Sequence, residues 1–260
     1  MLMYCLSAAS VGIQSFCLHV VTFTGFEVTV FRMSSEQPLI HMQRLMLRYP
    51  TGKTALSGLT LDIEQGQFVY LVGESGAGKS SLLKMLYGGV RPSSGLLVTQ
   101  QIDMRDASES RIRDIRRRTG IIFQDHKLLF SRCVFENVAL PLRVQGWKTE
   151  RLIPRVRKVL QYVGLEDRLW SYPEALSGGE QQRVAIARAM TANPAVILAD
   201  EPTGNLDVET ARSVLDYLMD LNKQGTTVIM ATHDLHLLKS HPGRVVQLHA
   251  GSLAGDYSEY

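Results

Sequence analysis

The chain has 260 residues, 45% hydrophobic and 20% charged, enough apolar material for one sizeable core and too much for a disordered polypeptide. Its 28 basic and 25 acidic residues leave a net charge of +3, too balanced for a protein whose main task is coating nucleic acid. The cysteines, Cys5, Cys17 and Cys133, are three in number and lack C-x-x-C spacing, which suggests neither a disulfide framework nor a zinc site and points to a reducing cytosol.

Leu2 to Phe26 contains no Asp, Glu, Lys or Arg. That length raises a transmembrane reading, but Ser, Thr, Gly and Gln interrupt the stretch, and it lacks the basic start and small-residue cleavage site of a signal peptide. We expect residues 1–37 to be a leader of uncertain status, with the true start at Met33. From Ser34 onward no uncharged stretch approaches the roughly 20 residues that cross a bilayer, so a membrane role for that part requires a partner.

Short strands are predicted in "LIHMQRLMLRY", "LTLDI" and "QFVYLVG", separated by turns at "PTGK" and "EQG". A helix follows Lys79, with Leu82, Leu83, Leu86 and Tyr87 on one face, and "RPSSG" is a loop. Residues 105–118 are polar and Arg-rich, and "TGIIFQ" is a further strand. From about 125 to 175 the pattern becomes helical, with Val156, Val159, Leu160 and Val163 in phase and no buried strand; we read an inserted helical subdomain. Then come the helix of "LSGGEQQRVAIARA", the strand "AVILAD", a helix with Ala211, Val214, Leu215, Leu218 and Leu221 in phase, the strand "TTVIMATH" and a terminal hairpin. Strands alternating with helices predict an α/β fold with a mostly parallel sheet over residues 38–260.

Gly73 to Ser80 fits G-x-x-x-x-G-K-[ST] between a predicted strand and a predicted helix, the context in which that pattern cradles a nucleoside triphosphate. Backbone N–H groups of Gly76 to Ser80 wrap the β-phosphate in this reading. Lys79 neutralises the β- and γ-phosphates, the Ser80 hydroxyl ligates Mg²⁺ and Ser81 reaches the α-phosphate. The bland alternative is a Gly-rich turn with a solvated lysine. At the end of "AVILAD", adjacent carboxylates at a buried strand end are costly unless a cation or proton transfer needs them. Asp200 then holds Mg²⁺, and Glu201 is the general base that polarises water.

Gln124 ends one strand and His233 another, and Asp207 follows "PTGN". Gln124 is a candidate metal ligand and water-orienting group, and His233 a donor to the γ-phosphate. Read alone, each is equally a polar residue meeting solvent. A second glycine-rich helix start, Ser177, Gly178 and Gly179, has the makings of another anion cradle.

Together these residues resemble the nucleotide-binding domain of ATP-binding cassette proteins, over about Leu39 to Tyr257. Gly73, Glu74, Ser75, Gly76, Ala77, Gly78, Lys79 and Ser80 stand as Walker A, with Ser81 next to them, "VILADE" as Walker B and Gln124 as the Q-loop. "LSGGEQQRVAIARA" is the family signature, "GNLD" with Asp207 the D-loop, and His233 the switch histidine. Tyr49 sits where the family places an aromatic on adenine. The resemblance implies a P-loop NTPase core, an N-terminal antiparallel β subdomain and an inserted helical subdomain. It also implies ATP and Mg²⁺ as cofactors and a homodimer in the ATP state, with Ser177, Gly178 and Gly179 of one protomer capping the neighbour's γ-phosphate. Ser81 departs from the common Thr and Glu74 from a frequent Pro or Ser, and the leader is foreign to the family.

"FQDHKLLFSRCVFENVALPLRVQG", "LADEPTGNLD" and "MATHD" are similar to the cell-division branch of the family. That implies an ATPase working with an integral membrane partner of the FtsX type, peripheral on the cytoplasmic face of the bacterial inner membrane at the division site, with no nucleic acid. The alternatives are the ATPase of a lipoprotein-release or macrolide-export pump and a soluble cassette protein of translation or DNA maintenance. Leu128, Leu129, Phe130, Val134 and Phe135 are expected to form the partner's groove or, alternatively, subdomain core. Arg111, Arg113, Arg116, Arg117 and Arg118 form a solvated helix face or a contact with the membrane surface.

Overall fold

The computed structural model describes residues 37–258 except 205, 235–237, 239 and 240, and from Pro38 onward these belong to one compact unit. The leader, the anchor reading and the start at Met33 lie outside the described residues.

Six strands make the central sheet: β3 (Phe68–Val72), β6 (Thr119–Ile122), β7 (Val196–Asp200), β8 (Thr227–Thr232), β9 (Arg244–His249) and β10 (Ser252–Tyr257). Their order is β10-β9-β3-β8-β7-β6; neighbours from β9 to β6 pair parallel, and β10 returns antiparallel as the predicted hairpin. Every residue of β3 and β8 is buried, as continuous apolar strands with helices on both faces should be. The period of two divides β3 between the two cores. Phe68, Tyr70 and Val72 join one, and Val69 and Leu71 the other.

A second, antiparallel sheet has the order β2-β1-β4-β5, built from β1 (Ile40–Arg48), β2 (Thr54–Ile63), β4 (Ser94–Thr99) and β5 (Ile102–Asp103). It packs with α1 (Lys79–Leu86) and α2 (Glu109–Arg117) on one face of the central sheet. The sequence pattern missed β4 and β5, because β5 has two residues and β4 alternates between partly and fully buried positions. The Arg-rich run read as a helix face lies on α2, with Arg118 as its C-cap. This helix rests on only two buried side chains, Ile112 and Ile115, each worth about 1.5–3 kcal/mol when fully buried, with Ser108 as its N-cap.

On the other face lie α3 (Val134–Val144), α4 (Thr149–Tyr162), α5 (Gly178–Met190) and α6 (Val208–Lys223). The helical reading over about 125–175 matches α3, α4 and two short helical turns at Glu166–Arg168 and Pro173–Ala175. Ala211, Val214, Leu215, Leu218 and Leu221 all face the core from α6. Parallel pairing also aligns the strand ends. Val72 pairs with Thr232, Asp200 with Ala231 and Ile122 with Ala199, so the segments that leave β3, β8, β7 and β6 emerge side by side at one edge.

Candidate active site

The loop from Gly73 to Gly78 leaves β3 at that edge and feeds α1, whose N-cap Gly78 has φ +107° and offers no side chain to the first turn. Uncapped N–H groups at a helix start are an anion site. Gly78 is required twice over, since a β-carbon there would lie 2.6 Å from the Ala55 carbonyl oxygen. Lys79 is only 6% exposed and donates from Nζ to the carbonyls of Gly73 at 2.6 Å and Glu74 at 3.1 Å. These bonds hold the ammonium under the loop.

Ser80, next on α1, donates from Oγ to Oδ1 of Asp200 at 3.0 Å. Burial pushes the Asp200 carboxyl above the ordinary aspartate range, opposed by the Ser80 hydrogen bond and reinforced by the charge of Glu201. A hydroxyl and one carboxylate are hard oxygen donors that suit Mg²⁺ sharing its remaining sites with phosphate and water. Among the described residues no group of three or more His, Cys, Asp and Glu could hold a metal unaided.

Glu201 follows β7 with φ +48°, its N–H donating to the Ala231 carbonyl at 3.0 Å. Two neighbouring strand ends reach its carboxylate. Gln124 donates from Nε2 to Oε2 at 3.4 Å, and Nδ1 of His233 lies 3.2 Å from Oε1. Tyr49, held at the β1–β2 turn by its N–H bond to the Lys53 carbonyl, meets Ser81 through hydroxyls 3.1 Å apart. All of this surrounds a cleft of about 510 Å³, lined by Ser75 to Ser81, Tyr49, Gln124, Glu201 and His233. Lys53 and Ala55 line it too. Neither carried a signal in the sequence, because only the β1–β2 pairing brings them there.

Gly73 and Glu74 bear on the cleft through Lys79, and Asp200 through Ser80. Ser177, Gly178, Gly179 and Asp207 do not line it. Ser177 caps α5 in a reciprocal box with Glu180, and Asp207 caps α6 through the N–H and hydroxyl of Thr210. A β-carbon on Gly179 would sit 3.1 Å from Thr210 Cγ2, so these two helix starts lie together.

The apolar run after Gln124 divides. Leu128, Val134 and Phe135 are core, the second of the two readings of this run and not the groove, while Leu129 and Phe130 are exposed. A second cleft, about 420 Å³, lies between β6, α2, α3 and the end of α5. Its apolar wall is Ile121, Phe123, Leu140, Pro141 and Val144. Arg113, Arg116, Arg117, Lys127 and Arg188 line it as cations, and no acidic residue does.

The ABC transporter family profile matches residues 56–204, more than half of the chain. The chain belongs to the ABC transporter family. It is an ATPase of the ATP-binding cassette class. It is 43% identical over 220 residues to the cell division ATP-binding protein FtsE of Bacillus subtilis, covering 85% of this chain and 96% of the relative. The FtsE of Escherichia coli K12 is 43% identical over 217 residues, covering 84% and 98%. Among solved structures, the dimeric post-hydrolysis state of the cassette MJ0796 bound to ADP and Pi superposes with a TM-score of 0.78 at 33% identity, over 84% of this chain and 98% of that one. CbiO1 of Clostridium perfringens superposes with a TM-score of 0.78 at 28% identity, over 86% and 89%. No helix among the described residues is long and apolar enough to cross a membrane.

Proposed function

We propose that this ABC ATPase is the FtsE-type subunit of a bacterial cell-division complex, binding and hydrolysing Mg²⁺-ATP as a homodimer that drives an integral membrane partner of the FtsX type. The observation that carries the chemistry is the convergence of Lys79, Ser80, Gln124, Asp200, Glu201 and His233 at one edge of the parallel sheet. The near full-length similarity to FtsE proteins supports the division role.

In this reading the N–H groups at the start of α1 and the Lys79 ammonium bind the phosphates, and Tyr49 stacks on the base. Ser80 and Asp200 would hold Mg²⁺, which would supply positive charge at the phosphate oxygens. Glu201 accepts a proton from the attacking water, Gln124 orients that water and His233 donates to the γ-phosphate. Ser177, Gly178 and Gly179 cap the nucleotide of the partner protomer, with Asp207 beside them. Hydrolysis then opens a dimer that ATP holds shut.

The partner's cytoplasmic segment docks in the basic, apolar-walled groove next to Phe123 and Lys127, within three residues of Gln124. A subunit working this way sits at the cytoplasmic face of the inner membrane at the septum, where the complex controls peptidoglycan hydrolysis. Affinity capture of Glu201→Gln protein with ATP, from gently solubilised membranes, tests the assignment. A polytopic partner with a large extracytoplasmic loop that localises to the septum is expected. Recovery of a lipoprotein-release or macrolide-export permease instead overturns the division role and keeps the catalytic one.

A further inference from the structure

After Gln124 the chain reverses at Asp125–Lys127, where His126 (φ +57°) and Lys127 (φ +46°) both adopt left-handed backbone. Two adjacent non-glycine residues in that region crowd their β-carbons against neighbouring carbonyls and persist only where surrounding contacts fix them. The fixing contacts come from α5. Arg188 donates from Nη2 to the His126 carbonyl at 2.6 Å and from Nη1 to the Lys127 carbonyl at 2.7 Å. The planar guanidinium fork suits two carbonyls one residue apart, a geometry that a lysine ammonium cannot copy.

Seven residues earlier on the same helix, Gln181 donates from Nε2 to the carbonyls of Pro173 at 3.0 Å and Leu176 at 3.3 Å. Leu176 directly precedes Ser177. One stripe of α5 therefore fastens both the turn behind Gln124 and the segment that enters the Ser177 helix start. The Gln124–Glu201 bond is already long at 3.4 Å, so a small displacement of the turn breaks it.

We infer that Arg188 is a positioning residue for ATP hydrolysis: by clamping the His126 and Lys127 carbonyls it sets Gln124 against Glu201 and ties that setting to the Ser177 end of α5. In a head-to-tail dimer this makes one protomer's own site and its cap on the neighbour's nucleotide move as one body. Arg188 and Lys127 also line the basic groove, so a segment seated there presses on the same clamp. The inference rests on the proposed roles of Gln124 and Glu201.

The test is a double-mutant cycle on the full chain, at concentrations where ATP dimerises it. Arg188→Met is expected to lower kcat about tenfold with KM for ATP within about twofold, the pattern of a lost transition-state arrangement. Arg188→Lys should recover only part of that loss. On a Gln124→Ala background, Arg188→Met should cost less than about a further twofold, because both act through one group. If the two losses multiply, or KM rises as much as kcat falls, the clamp is not a positioning device and the inference is overturned. If Gln124→Ala alone leaves turnover intact, the reading of the site fails as well. Should circular dichroism find Arg188→Met unfolded, the same cycle with Arg188→Lys decides.

Discussion

Glu201 and His233 face each other across the edge of the sheet, with the carboxylate Oε1 3.2 Å from the ring Nδ1. Glu201 holds this position with φ +48°, a conformation that a non-glycine residue keeps only where its surroundings impose it. In the proposed function this residue, lining the cleft, is the general base. Glu201→Gln keeps the shape and removes the proton acceptor. Turnover should fall by about 10²–10⁴, the usual worth of a general base, while ATP affinity stays within about threefold. Light scattering should then find an ATP-dependent dimer that persists. Wild-type turnover would remove Glu201 from the role.

Lys79 supports the loop, its ammonium buried against the Gly73 and Glu74 carbonyls, and in the proposed function it must also serve the phosphates. Lys79→Ala removes a charge-assisted bond worth about 1.5–3 kcal/mol, so ATP affinity should drop about ten- to hundredfold by titration calorimetry. Unchanged affinity would mean that the ammonium stays on the loop and never turns to the nucleotide.

Gly78 separates loop from helix at φ +107°, with the Ala55 carbonyl oxygen where a β-carbon would go. Gly78→Ala should cost about 1–3 kcal/mol of stability in urea and also lose nucleotide binding, because relieving the contact moves the first turn of α1. The neighbouring Gly76 has open space around it, so Gly76→Ala should cost less.

Much of this site was legible because its residues stand at strand ends. A continuous apolar run such as "FVYLVG" or "VILAD" locates a buried parallel strand, and the polar residues at its carboxyl end must sit at the edge of the sheet. Hence Asp200, Glu201, Gln124 and His233 could be read one strand at a time, and Lys79 from the loop pattern that opens α1. Residues placed by antiparallel pairing or by side chain to backbone bonds were not. Lys53 enters the cleft by the β1–β2 turn, and Arg188 reaches residues 126 and 127 from 61 or more positions away. Lys53 stands in "PTGK" and Arg188 in "LSGGEQQRVAIARA", but nothing in either stretch points to the distant partner. The run from Leu128 to Phe135 could not be divided either, because it is apolar at core and surface positions alike, and only packing separates them.

Acid should act on the terminal hairpin through Asp256. Arg244 donates from Nε and Nη2 to its two oxygens at 2.8 and 2.7 Å, and this pairing holds the carboxyl below the ordinary value of 3.8. A lowered folded pKa contributes stability above the unfolded value and loses it as pH falls through the folded one. With both groups partly solvated, the bridge is worth about 1 kcal/mol. Asp256→Asn should therefore destabilise the protein by about that amount at pH 7, and the gap between variant and wild type should close below about pH 4. A gap that widened in acid would contradict the pairing.

Tyr49 offers two distinct handles on nucleotide, a ring at the mouth of the cleft and a hydroxyl 3.1 Å from Ser81 Oγ. If the ring stacks on the base, Tyr49→Phe keeps that surface and should leave ATP affinity within about twofold, while Tyr49→Ala should weaken it by about 1–3 kcal/mol, the range for base stacking on an aromatic. The loss should be similar for ATP and GTP, since every base has a π-face. Fluorescence titration with both nucleotides separates the handles: an affinity loss in Tyr49→Phe equal to that in Tyr49→Ala would assign the contribution to the hydroxyl and its bond to Ser81.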